Sequence, residues 1–167
     1  METANCSACL KPKATLECQV CHEPIGKCCA QILAEGAFSF WTEVPEVLAH
    51  EIFCPNCYDA HVAAPLKKYL NIIERAKEVR VFFDHQGKET RWLKRIEKSI
   101  AIPVCDDKDE ALLRLAFHAA EKKCNALVDV SLVSEKTRSN HRQSTAWRAS
   151  GVPMQIRSER VLMGAQD

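Results

Sequence analysis

Eight of the chain's ten cysteines fall within its first 57 residues, and they come in pairs: "CSAC" (Cys6, Cys9), "CQVC" (Cys18, Cys21), "KCCA" (Cys28, Cys29) and "CPNC" (Cys54, Cys57). Two residues between cysteines let a tight turn aim both sulfurs at one ion about 2.3 Å away, and a tetrahedral ion takes two such pairs. In a reducing compartment thiols do not persist as disulfides, so this density points to metal. Eight thiols make two four-ligand sites, and the expected cofactor is two Zn2+ ions. Closed thiolate sites keep no coordination position for a substrate, so the zinc is expected to hold the fold and not to catalyse.

Two ligand pairings are open. A consecutive scheme puts Cys6, Cys9, Cys18 and Cys21 on one ion. An interleaved scheme joins the first and third groups on one ion and the second and fourth on the other. The interleaved scheme is preferred because it ties both ends of the segment holding "FSFW" to separate ions, stapling twice a module too small for a real core. Cys54 and Cys57 then share an ion with Cys18 and Cys21, and Cys6 and Cys9 share one with Cys28 and Cys29. Adjacent cysteines diverge in extended backbone, so both bind one ion only if the chain bends there, and His50 competes for that fourth place. His22 and His61 are expected beside the sites as supporting or surface groups. Phe38, Phe40, Trp41 and Phe53 are expected to form the module's small core, with Phe40 or Trp41 as the alternative grip for a partner.

This cysteine spacing resembles the treble-clef, cross-brace zinc fingers of the FYVE and RING types over about residues 4–60, and "FCPNCYD" looks like the closing knuckle of FYVE-like fingers. The resemblance implies the fold and the ligand set. "CHEPIGKCC" carries one acid and one Lys where a FYVE finger carries a basic run, so phosphoinositide binding is not implied. The Cys-x-His step of a RING is missing, so neither is ubiquitin-ligase chemistry.

Charge divides the chain near the same place. Residues 1–65 carry three Lys against eight acids, a net of −5, so the remaining 102 residues carry +6 to reach the overall +1. The expected organisation is a zinc-finger module over 1–62, a linker helix over 63–78 and a small α+β domain over 79–167. The helix is expected to start at Pro65, with Leu66, Tyr69, Leu70, Ile73 and Ala76 as its apolar stripe.

In the second domain "VRVFF" and "RWLKRIEKSIAI" are expected to form a hairpin around "DHQG", with Trp92, Ile96, Ile100 and Ile102 on one face. "CDDKDEALLRLAFHAAEKKC" predicts a helix with an Asp107–Glu110 capping box and a stripe of Leu112, Leu115, Ala116 and Ala119. "NALVDVSLV" predicts a strand, "SEKTRSNHRQ" a polar loop and "STAWRASGVPMQI" a strand broken near Gly151 and Pro153. The order is β-β-α-β-β, with one helix over an antiparallel sheet. The run "AFHAAEKKCNALVDVSLVSE" to "STAWRASGVPMQI" resembles small domains of the YbjQ and RcsF type over roughly 79–157. Members of that group are described as heavy-metal-binding, but Cys105 and Cys124 bracket a helix roughly 25 Å long and read as isolated small apolar residues.

No apolar run reaches the roughly 18 residues of a membrane span, and the start has no signal-like apolar core, so a cytoplasmic protein is expected. His85, His118 and His141 are scattered, and no Ser/His/Asp set, Walker loop or Gly-rich dinucleotide turn is visible among only five glycines. The expected function is therefore that of a non-enzymatic, zinc-stabilised adaptor recognising a protein partner. The alternative is nucleic-acid binding by the basic second domain. Residues 66–98 carry ten cations against five acids, and "TRSNHRQSTAWR" adds a basic stretch with one aromatic.

Overall fold

The structure, a computed structural model, describes residues 4–139 and 142–163. It is α+β, and the chain resolves into two compact units, Met1–Leu70 and Asn71–Asp167.

The first unit has little regular structure. β1 (Leu16–Glu17) pairs antiparallel with β2 (Pro24–Ile25), and β3 (Gln31–Ile32) with β4 (Ile52–Phe53). Its interior combines sulfur and aliphatic carbon: Cys6, Cys18, Ile25 and Cys54 are buried, with Leu16, Val20, Ala30 and Ile52 packed around them. A second cluster is aromatic. Phe38 stacks on Trp41 at 5.0 Å and 8°, and Tyr69 meets both rings edge-on at 5.2 and 5.3 Å. The Tyr69 hydroxyl accepts the Phe40 N–H. The aromatics thus form a core, as "FSFW" suggests.

The helical run after β4 starts earlier than Pro65. Cys54 caps α1 (Pro55–Cys57), a π-type turn covers Tyr58–Val62, and α2 (Ala63–Lys77) continues from it. Pro55 takes the first-turn position that suits proline, and Pro65 is the third residue of α2, just past the wider π turn. The buried face is Val62, Tyr69, Ile72 and Ala76, whereas Leu70 is exposed. The extra residue of the π turn rotates the helix face.

The second unit is a mixed four-stranded sheet in the order β5-β7-β8-β6. β5 (Arg80–Phe83) is followed by a 3-10 turn at Asp84–Gln86, α3 (Gly87–Thr90) and β6 (Ile100–Ala101). Then come α4 (Lys108–Glu121), β7 (Ala126–Ser139), β8 (Arg142–Met154) and α5 (Glu159–Met163). The order β-β-α-β-β holds, but the expected hairpin does not form. β5 runs parallel to β7, with Arg80 opposite Ala126, and Trp92 and Ile96 are 63% and 81% exposed. Two local ties explain this. Gln86 Oε1 accepts the Phe83 N–H and coils the chain where the turn was expected. Arg95 donates to the carbonyls of Thr90 and Leu93 and, through Nε and Nη2, to both carboxylate oxygens of Asp129 at 2.9 and 2.8 Å.

Asp129 sits at a β-bulge. Between Val128 and Ser131 three steps of β7 oppose two of β8, and Asp129 has φ +53°. The expected polar loop is instead strand: β7 and β8 pair out to Ser139 and Arg142, and residues 140–141, including His141, lie outside the described residues. β8 passes unbroken through Gly151 and Pro153. Beyond Ser150 and Gly151, β6 no longer pairs it, so proline meets a strand on one side only.

α4 covers one face of the sheet with Ala111, Leu115, Ala116, Phe117, Ala119 and Ala120 buried, and Leu112 only half-buried. Its cap is one-sided. Asp107 Oδ1 accepts from Asp109 N and Glu110 N, but the Glu110 carboxylate turns to Arg114, so no reciprocal box closes. Phe82, Ala126, Val128 and Ile156 form a separate buried cluster with Leu93, Val152 and Val161. Asn125 fastens it, giving its amide to the Ile156 carbonyl and accepting the Ile156 N–H, both at 2.7 Å. Among the described residues no helix is long and apolar enough to cross a membrane.

Candidate metal centre

The sulfurs of Cys18, Cys21, Cys54 and Cys57 lie within 4.8 Å of one another, and those of Cys6, Cys9 and Cys29 form a second such group. These two clusters could hold metal ions. The first two knuckles share one local design. The chain turns back so that Leu10 N–H reaches the Cys6 carbonyl at 2.8 Å, and His22 N–H the Cys18 carbonyl at 2.9 Å. Leu10 and His22 accept left-handed φ values of 62° and 61° to do so. The fourth pair is a helix start, with Cys54 Sγ accepting the Cys57 N–H. At the third, Cys29 and Ala30 both donate to the Gly26 carbonyl, a bend that brings the Cys28 and Cys29 sulfurs to 3.7 Å.

The hairpin decides which knuckles meet. The Cys18–Cys21 turn is the tip joining β1 to β2, while Cys28–Cys29 follow Gly26 just after β2, and Cys6 packs beside that same Gly26. Tip sulfurs therefore take their partners from another strand pair. Gln19 N–H reaches the Ile52 carbonyl, and Gln19 Oε1 accepts the N–H groups of Glu51 and Ile52 at 2.7 and 3.0 Å, holding β4 and the knuckle after it against the tip. Sequence reading missed Gln19, since a polar residue inside a knuckle carries no signal of its own.

Four ligands at 2.3 Å around a tetrahedral ion stand about 3.8 Å apart. The Cys21–Cys54 and Cys28–Cys29 sulfur separations, 3.8 and 3.7 Å, match that spacing. Cys28 is exposed and stands outside the tight three-sulfur group.

Electrostatics differ within each cluster. The N–H groups of Gly26, Cys9 and Ala8 hold the Cys6 thiol down to about 6 against a desolvation penalty. At Cys18 burial pushes the thiol up most strongly, yet the N–H groups of Cys21, Cys54 and Val20 together bring it to about 6. Cys29 is pushed up to about 12 by the sulfurs of Cys9 and Cys28, and Cys57 is raised by burial and by the Cys54 sulfur. One sulfur per cluster is thus cradled as a thiolate, and a crowded neighbour resists a second negative charge. A dication removes that repulsion.

The chain matches no family model, no curated protein and no solved structure.

The histidines fall elsewhere. His50 joins neither sulfur group and lines a 260 Å³ cavity with Phe38 and Leu48. His22 Nδ1 pairs with Glu17 at 2.8 Å, and His61 is exposed. In the second unit His85 stacks on Phe83 and His118 lies 3.6 Å from Glu121. Cys105 and Cys124 belong to neither group. Burial pushes both thiols up, and Cys105 donates weakly to the Pro103 carbonyl.

Proposed function

We propose that the chain is a non-enzymatic, zinc-stabilised adaptor that recognises a protein partner. The supporting observation is the pair of thiol groups built around buried Ile25. The first has four thiols, and Cys28, 3.7 Å from Cys29, is our fourth ligand for the Cys6, Cys9 and Cys29 set, so that on this reading neither leaves a position for substrate. Zinc is the reading because soft thiolates at tetrahedral spacing select it. The interleaved grouping is the one that the cross-brace, FYVE/RING-like resemblance implies, and the helix, strand and hairpin formed by α4, β7 and β8 follow the order of the YbjQ/RcsF-type resemblance. This reading sets the protein in the cytoplasm, where thiols stay reduced. Elemental analysis of the purified protein tests the metal, with two zinc ions per chain expected. Crosslinking and capture from its own lysate tests the partner, and absence of any stoichiometric protein partner would sink the adaptor reading.

One feature favours nucleic-acid binding as a second reading. Past Trp147, which opposes Ser134 and is also bridged by Cys105, β7 and β8 continue as a two-stranded ribbon, in which Lys136 opposes Thr145. Period-two alternation sets Lys136, Arg138 and Trp147 on one face, while Glu135 lies on the other with Arg148 at 3.0 Å. A two-stranded ribbon fits the DNA major groove. Filter binding at two salt concentrations distinguishes the readings: Lys136→Glu with Arg138→Glu lowers the salt slope by about one per lost phosphate contact if the ribbon binds.

A further inference from the structure

The segment from Cys28 to Leu66 contains Glu35, Glu43, Glu46, Glu51 and Asp59 and no Lys or Arg. Two of these acids, Glu35 and Glu51, line one cavity. It measures about 260 Å³, with Phe38 and Leu48 buried in its wall, Val44, Ala34, Ala37 and Ala49 completing the apolar lining, and His50 beside them. Glu43 and Glu46 bracket Val44 on the chain between Trp41 and Leu48. None of the four carboxylates takes part in an ion pair among the described residues. Val44 is 39% exposed, and Ile32, two residues before Ala34, is 70% exposed.

We infer that this cavity is the docking site of the partner, and that the partner presents a basic segment carrying one aliphatic anchor side chain. The inference rests on the adaptor reading and names where and what it binds. Size and charge select the occupant. Cavities enclosing small-molecule ligands run to roughly 300–1,000 Å³, so this one suits a side chain. A protein anchor in an apolar pocket supplies affinity, and like charges in its wall and in the adjoining chain select the sign of its flanks and speed encounter. A nucleic acid is repelled by the same two carboxylates and by the net negative charge of the segment around them.

The test uses the zinc-loaded full chain and a fluorescein-labelled twelve-residue peptide, rich in Lys and Arg around a central Leu. Expected is saturable binding that weakens with salt, and that falls roughly tenfold or more when the peptide's Leu is replaced by Ser, in Ala34→Trp, or in Glu35→Lys with Glu51→Lys. Zinc content is measured on each variant, and if Ala34→Trp loses metal the surface charge reversals decide. No binding, or equal binding by an acidic peptide, overturns the inference. So does self-association of the chain that Ala34→Trp abolishes, which assigns the cavity to a second copy. Lysate capture separates the two claims. A partner held equally by wild type and Ala34→Trp refutes the cavity and leaves the adaptor reading standing, and no partner at all refutes both.

Discussion

Gly151 shows how tightly the second unit is packed. A Cβ there would stand 2.9 Å from Val130 Cγ2, 3.4 Å from the Val128 carbonyl and 3.5 Å from Leu115 Cδ2, between the bulged strand and α4. Because two of those neighbours are a β-branched side chain and backbone, Gly151→Ala should cost about 1–3 kcal/mol, read as a lowered denaturant midpoint of the full chain. Asp129 carries the other residue-scale prediction. The bidentate Arg95 guanidinium holds its carboxyl below the ordinary value, against partial burial. A depressed carboxyl contributes stability that is complete above the unfolded value of about 3.9 and is lost as pH falls through the folded value. Asp129→Asn keeps a side chain that tolerates left-handed φ but removes the charge. The stability gap between wild type and Asp129→Asn should be flat above pH ~5 and shrink below pH ~4; a gap unchanged at pH 3 would show that Arg95 does not act through charge.

At the scale of elements, the β1–β2 hairpin separates the knuckles, with the tip sulfurs grouped with Cys54 and Cys57 and the Cys6 and Cys9 sulfurs with Cys29. Cys18→Ser and Cys54→Ser should therefore each lose the same single zinc, while Cys9→Ser loses the other. Zinc stoichiometry with limited proteolysis checks this, and a Cys54→Ser protein that still holds its Cys18 ion would contradict the pairing. Binding free energy in so small a module is folding free energy, on the order of 10 kcal/mol per structural zinc, so each variant should also open the first unit to protease.

Across the whole molecule, the two units differ in what replaces a core. The first is assembled around sulfur, Ile25 and one aromatic cluster, and the second around Phe82, Leu115, Phe117 and the Val128–Val130 bulge. A chelator should therefore abolish protection of residues 1–70 while the second unit keeps a cooperative melt; loss of that melt on chelation would show a single folding unit.

Sequence alone determined the eight paired thiols, the reversal of charge between the halves and α4, because cysteine spacing, net charge and a 3.6-residue apolar period are local quantities. Only the tertiary structure decided the rest. The segment from Arg91 to Ile102 alternates as a strand should, yet Arg95 finds Asp129, 34 residues away, and only Ile100–Ala101 pair as strand. β5 has no hairpin partner because β7, arriving after α4, buries Ala126, Leu127 and Val128 beside it. The polar runs 134–139 and 142–143 read as loop but are ribbon, since paired strands satisfy each other's backbone whatever their side chains. His50 stands next to the knuckles in sequence but joins neither sulfur group and lines the cavity with Phe38 and Leu48 instead. The coil around Arg95 and the parallel β5 each come from a contact between residues far apart in the chain, which no local pattern encodes.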